Sequence, residues 1–177
     1  MSAYRAFAEA RRYEDVKHME TPFVVKLHAH CLLAEPQPLH SFWHKRGDLP
    51  QESDRCHGDC GGDGSGMLLA DNERTKRCVF ARPDGVRATC HGLAGYFDCV
   101  LYGDVSLCTL PDERHTPNMG SWFPLYIPLR EGFAVGSGED VEASVWRRVG
   151  GGKVWYEWSV NGGAIHNVGA RSSWVGL

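Results

Sequence analysis

An all-β fold, an antiparallel β-barrel or sandwich with a short N-terminal helix, follows from three features of the sequence. Near the C-terminus apolar residues alternate with polar ones. Val141, Ala143 and Val145 alternate with Glu142, Ser144 and Trp146, and Val154, Tyr156, Trp158 and Val160 with Trp155, Glu157 and Ser159. A period of two belongs to half-buried strands, whose successive side chains point to opposite faces. Turn chemistry punctuates these runs: Gly150-Gly151-Gly152 joins the first to the second, and Asn161-Gly162-Gly163 follows. Finally, 21 glycines and 9 prolines break up 177 residues, too often for long helices.

Taken in order, residues 2–16 form the one helical stretch. Ser2 can cap it. Tyr4, Phe7 and Ala8 share one face, while Arg11, Arg12, Glu14 and Asp15 are polar. Thr21-Pro22 ends it, because the residue before proline is pushed out of the α region. Residues 1–22 thus read as helix and linker, and 23–177 as the β domain. Residues 23–28 are β-branched and apolar, hence a strand. Pro36-Gln37-Pro38 breaks the chain, and 41–44 form a second strand or its edge. Residues 45–66 are polar and glycine-rich with no periodicity, a long loop; the flexible insertion is set at 46–76.

Residues 77–81 and 86–90 flank Arg82-Pro83-Asp84-Gly85, which predicts a hairpin. Residues 93–102 are the most apolar strand, followed after Gly103-Asp104 by 105–110. Residues 122–129 form a further strand that its prolines confine to an edge or an irregular position. Residues 164–168 close the meander as the partner of 154–160.

Hydrophobic residues make up 42% of the chain, which suits a globular core, and the net charge of -3 offers no basic field for nucleic acid. No run of about 18 apolar residues exists for a transmembrane helix. The N-terminus is too polar for a signal peptide, so the sequence predicts a cytoplasmic or nuclear location. The 7 cysteines are an odd number, which argues against a disulfide framework. Cys99 and Cys108 read as small buried hydrophobes.

Few residues suggest chemistry. Cys56 and Cys60, with Cys90 and His91, could supply four zinc ligands, but the loop is glycine-rich and no second tight pair exists, so a solvated insertion with incidental cysteines is the better account of them. His28, His30, His40, His44 and His115 follow no metal or nucleophile spacing. Gly136-Ser137-Gly138 precedes acids and a strand, so it is no phosphate cradle. No catalytic, cofactor-binding or metal-binding residue is assigned. Trp122 and Phe123 stand out, between Thr116-Pro117-Asn118 and Pro124. An aromatic pair in a β domain can be core; held on a rigid turn, it can instead offer its face to a cation.

The segments LAGYFDCVLYGDVSLCTLP, HTPNMGSWFPLYIPL, KVWYEWSV and AIHNVGARSSWVGL occur in this order. They resemble the C-terminal β-barrel domain of the type II protein arginine N-methyltransferase 5 family, which forms symmetric dimethylarginine. The resemblance implies a chain that begins just after a methyltransferase core. That core, a Rossmann-like domain preceded by a TIM barrel, would hold S-adenosylmethionine and the catalytic glutamates. It makes Ser121, Trp122 and Phe123 the substrate-binding residues, with Trp122 on the flat face of the target guanidinium. It makes Gly120, where animal members carry phenylalanine, the product-specificity position. It implies arginine-containing protein substrates, a WD-repeat adaptor bound elsewhere in the full-length protein, self-association only at full length, and no activity of this chain alone. The residues also permit two other readings. One is a free-standing β-sandwich module binding carbohydrate or peptide through Trp43, Trp155 and Trp174. The other is a zinc-stabilised structural domain.

Overall fold

The computed structural model describes residues 14, 16–27, 30–42, 73–82 and 87–177. Most of the predicted helix at 2–16 and of the insertion at 46–76 lies outside them, as do His28, Trp43, His44, Cys56 and Cys60. The strands among the described residues are β1 (Phe23–Val24), β2 (Arg74–Phe80), β3 (Ala88–Gly95), β4 (Asp98–Tyr102), β5 (Val105–Cys108), β6 (Leu125–Val135), β7 (Val141–Gly150), β8 (Lys153–Val160) and β9 (Val175–Gly176). They form three ladders, in orders β1-β6-β3, β2-β7-β8-β9 and β4-β5. Every pairing is antiparallel. The fold is all-β, as the alternation predicts, but the described sheets do not close into a barrel.

The β7–β8 hairpin forms as predicted. Gly150 pairs with Lys153, and Gly151 and Gly152 both take positive φ, 56° and 71°. Two left-handed residues give the turn whose twist matches that of the flanking strands. Val141, Ala143 and Val145 of β7 and Trp158 and Val160 of β8 pack with Ile127, Leu129 and Val135 of β6 and Cys90 of β3. Trp158 is fully buried, and its indole N–H donates to the Pro128 carbonyl at 2.9 Å. That bond joins two sheets that no backbone ladder joins.

Several predicted elements differ. The strand at 23–28 is only two residues long. Val25 N–H donates to Pro124 O at 3.1 Å, but proline has no N–H to return, so the ladder stops. Residues 41 and 42 are not in a strand. The described end of the supposed insertion, from Arg74, belongs to β2. The 77–90 hairpin does not form: β2 pairs with β7 and β3 with β6, so this connection crosses between sheets. The long strand at 93–102 breaks at Tyr96-Phe97. There Phe97 N–H donates to Thr109 Oγ1 and Phe97 O accepts from Thr109 N–H, both at 2.9 Å.

Trp122, Phe123 and Pro124 precede the strand instead of opening it, and β6 runs between β1 and β3 rather than at an edge. Pro128 is tolerated there because β1 covers only Leu125 and Tyr126. Beyond them, side chains of β8 and the tail cap the flank. Opposite Pro128 sits Gly92, after a bulge at Cys90. A Cβ on Gly92 would lie 2.6 Å from Ile127 O, so only glycine fits this approach.

Residues 164–168 are not a strand. His166 makes a single bridge to Trp158. Left-handed Asn167 (φ 53°) and Ala170 (φ 60°) then bend the tail through a 3-10 turn. The tail folds over the second face of β8, where Gly169 N–H donates to Glu157 Oε1 at 2.8 Å and Ser159 Oγ donates to Gly163 O at 2.8 Å. The alternation in burial therefore ends, and residues 157–160 are all buried. Glu20, wholly buried, ties the N-terminal segment to this tail. It accepts from Arg130, from Arg171 and, at 3.1 Å, from Ser172 Oγ.

Candidate functional site

The loop between β5 and β6 carries the aromatic pair, and local bonds fix its shape. At its root Thr116 and Cys108 exchange bonds: Thr116 N–H donates to Cys108 O, and Cys108 N–H to Thr116 Oγ1, both at 3.0 Å. Arg114 hydrogen-bonds Asp112 and reaches Asp98 at 3.3 Å. Its hydrogen bonds hold the Asp112 carboxyl below the usual carboxylate range. Asn118 turns the chain with φ 60°, and Trp122 N–H closes a turn on Met119 O at 3.1 Å. Each bond fixes backbone that would otherwise cost entropy to order on binding.

Trp122 is 56% exposed and Phe123 37%, so the pair is not core. The Trp122 ring is braced edge-on against Phe97, with centroids 5.4 Å apart. Beside the loop opens a cleft of about 510 Å³. Its far wall is Lys26, Leu27 and His30, which follow β1, and its floor includes Tyr96 and Thr109. Two of its titratable groups are already engaged or constrained. His115 Nδ1 lies 3.2 Å from Leu110 O. The Tyr96 hydroxyl is buried without a hydrogen-bond partner among the described residues, and burial pushes the phenol up from its ordinary value.

Gly120, Trp122 and Phe123 therefore line one cleft, whereas Ser121 is exposed on the same turn outside it. A Cβ on Gly120 would meet nothing within 4 Å. The other singled-out residues lie elsewhere. Trp155 Nε1 donates to Glu157 Oε1 at 2.9 Å, and Lys153 Nζ sits 4.2 Å from the Trp174 ring centroid, so both tryptophans are engaged on β8 and the tail. His40 stacks on Tyr156 at 6.3 Å, away from the cleft; burial, then Arg74, Arg147 and Lys76, lowers its pKa. Cys108 is buried, Cys99 half-buried, and the Cys90 thiol lies 3.6 Å from Gly92 O. At Gly136-Ser137-Gly138 the first N–H is taken by Glu139 Oε2 at 2.7 Å, so a carboxylate already fills that turn.

Sequence reasoning missed His30 as a wall of this cleft, Tyr96 as its floor, and the buried trio Glu20, His166 and Asn167. Asn167 is fully enclosed: Nδ2 donates to Tyr156 O and Ser173 O, and Oδ1 accepts from Ser172 and Ser173 N–H. The available signal was the left-handed propensity of asparagine before Val168-Gly169.

The described fold is thus an all-β domain with a braced aromatic loop beside an open cleft. The family model described as the PRMT5 oligomerisation domain matches residues 1–175, and the chain belongs to that family. Protein arginine N-methyltransferase 5 of Oryza sativa subsp. indica is 38% identical over 181 residues, covering 100% of this chain and 25% of that protein. The Xenopus laevis protein of the same name is 38% identical over 161 residues (89% of this chain, 22% of its own length). Protein arginine N-methyltransferase skb1 of Schizosaccharomyces pombe is 32% identical over 165 residues, covering 89% and 24% respectively. The chain thus spans about a quarter of the length of the curated relatives it matches.

Proposed function

We propose that this domain forms the substrate-binding wall of an S-adenosylmethionine-dependent protein arginine N-methyltransferase, with chemistry supplied by a separate core domain. The observation that carries the reading is Trp122, more than half exposed yet braced by Phe97 beside an open cleft. A guanidinium is a planar cation. Stacked on an indole face it gains about 0.5–2 kcal/mol and, more to the point, is oriented for attack. Trp122 takes that face, Phe123 contacts the peptide backbone, and Ser121 lies along the peptide outside the cleft. Gly120 leaves open space beside the guanidinium and so influences which methylated product forms.

S-adenosylmethionine supplies an electrophilic methyl group. At the glycine-rich turn weighed as a phosphate cradle, Gly136-Ser137-Gly138, the first N–H is already taken by the Glu139 carboxylate. We therefore assign it, and the groups that handle the reacting proton, to the core. The family's description favours self-association of the full-length protein.

The test is Trp122→Ala in the full-length enzyme. Stacking worth about 2 kcal/mol corresponds to roughly a thirtyfold fall in kcat/KM for an arginine peptide. The thermal midpoint of this domain should not change, because Trp122 lies outside the core. Unchanged kcat/KM would make Trp122 a spectator.

A further inference from the structure

Glu20 is the most deeply enclosed ionisable side chain among the described residues. A buried carboxylate is costly unless both its oxygens are satisfied. Here Arg130 of β6 and Arg171 of the tail donate to Oε1, while Arg171 Nε and, at 3.1 Å, Ser172 Oγ donate to Oε2. The side chain lies outside the apolar core cluster, so what it organises is the chain beside it. That chain is weakly held. The β1–β6 ladder covers Phe23 with Tyr126 and Val24 with Leu125, and prolines bound it. Pro22 has no N–H to extend it, and Pro124 accepts from Val25 but returns nothing. Phe23 and Val24 are 37% and 65% exposed, so burial does little to fix this register. Extended backwards, the same register sets residue 20 opposite residue 129, as 23 faces 126. The Glu20–Arg130 pair therefore stands where the ladder would have continued.

We propose that Glu20 is a positioning residue for the cleft: its carboxylate pins the register of β1 on β6 and so holds Lys26 and Leu27, the far wall, opposite Trp122. This rests on the reading of the cleft as half of a substrate groove. The connection is short. Lys26 directly follows Val25, whose N–H donates to Pro124 O at 3.1 Å. Pro124 adjoins Phe123, and both line the cleft. The two walls therefore meet at the β1–β6 ladder. A slip of β1 by one residue would move the far wall by about 3.3 Å and turn its side chains to the other face. That displacement is large against the tolerance of an oriented substrate. The wall binds the peptide and the core carries the reaction, so the loss falls on KM rather than on kcat. A charged side chain suits this place. Burial, and then Arg171, lowers the Arg130 pKa; without a carboxylate between them the two guanidiniums repel and both contacts loosen.

The test is Glu20→Gln in the full-length protein, read by steady-state methylation of an arginine peptide and by hydrogen exchange of the Val25 amide. Expected are a KM raised about tenfold with kcat within about twofold, and a Val25 amide that exchanges about tenfold faster while β7 and β8 stay protected. Ser172→Ala removes one donor and no charge, and should move both readouts the same way by about two- to threefold. It carries the test if Glu20→Gln does not fold. Unchanged KM and exchange in both variants overturn the proposal. So does protection lost equally in β7 and β8, which would make Glu20 a support of the whole fold. Trp122→Ala, assayed beside them, separates the two readings. If it lowers kcat/KM and Glu20→Gln does not, the substrate reading stands and the positioning role falls. If Trp122→Ala has no effect, the substrate reading fails, and the Val25 amide alone decides whether Glu20 pins β1.

Discussion

Among the described residues two hairpins share one simple topology, β4–β5 and β7–β8, and they differ in what covers them. In β7–β8 one face packs into the core through Val141, Ala143, Val145, Trp158 and Val160, and the tail shields the second face at Glu157 and Ser159. The β4–β5 ladder joins no other strand among the described residues, and Val100, Leu101, Tyr102 and Val105 at its tip are exposed. Strand formation is therefore no guide to which surfaces a domain keeps for itself. The β7–β8 unit completes its own burial, whereas β4–β5 leaves large apolar side chains at its tip exposed.

The largest effect that can break this contrast is expected at Trp158. Trp158→Ala removes the largest fully buried side chain and leaves Pro128 O without its donor. We expect a loss of about 3–5 kcal/mol, read by urea denaturation of the isolated chain. Trp158→Phe keeps most of the ring and loses the hydrogen bond, for about 1–3 kcal/mol. A small loss for the alanine variant would mean that β7–β8 does not hold the core.

A pH titration sharpens the same side of the comparison. His166 stacks on Trp158 at 5.3 Å. Its Nε2 accepts Arg130 N–H at 3.1 Å, and its Nδ1 lies 3.2 Å from Trp158 O, which places the proton on Nδ1. Burial lowers its pKa below the ordinary 6.5, outweighing the backbone bond to Trp158, and Arg130 and Arg171 add to the lowering. A lowered folded-state pKa means that the unfolded chain binds the proton more readily. The stability is therefore complete above about pH 6.5 and is lost as pH falls through the folded value. His40 is shifted in the same direction. His166→Gln should thus flatten, without abolishing, the fall in stability as pH drops below about 6.5. An unchanged pH slope would show that the tail is not locked by a neutral imidazole.

How much of this was legible in the sequence follows the same divide. β7 and β8 were readable because local alternation and a two-glycine turn coincide with the tertiary solution. Asn161-Gly162-Gly163 misled, because its turn leads to a tail held by side chains of Glu157, His166 and Asn167, which carry no period. The 77–90 hairpin misled for the opposite reason: good turn chemistry joins strands whose best partners lie elsewhere, in β6 and β7. Trp122 was legible as an exposed aromatic because prolines and turn residues flank it. The cleft was not, since its wall at Lys26 and His30 and its floor at Tyr96 come from distant segments that only the fold brings together.

The smallest stability effect is expected in the exposed region, at Gly120, and it isolates function from folding. Gly120 does not have positive φ, and a side chain built there meets open space. Gly120→Phe should therefore leave stability within about 0.5 kcal/mol, in contrast to any comparable volume change in β7–β8. The new ring would stand beside Trp122 at the cleft, so the indole fluorescence should shift although the unfolding midpoint does not. In the full-length enzyme the ratio of symmetric to asymmetric or mono-methylated arginine, read by mass spectrometry, should change with it. An altered midpoint would show that the loop is packed rather than open. An unaltered product ratio with a shifted indole would keep Gly120 at the cleft and remove it from control of the product.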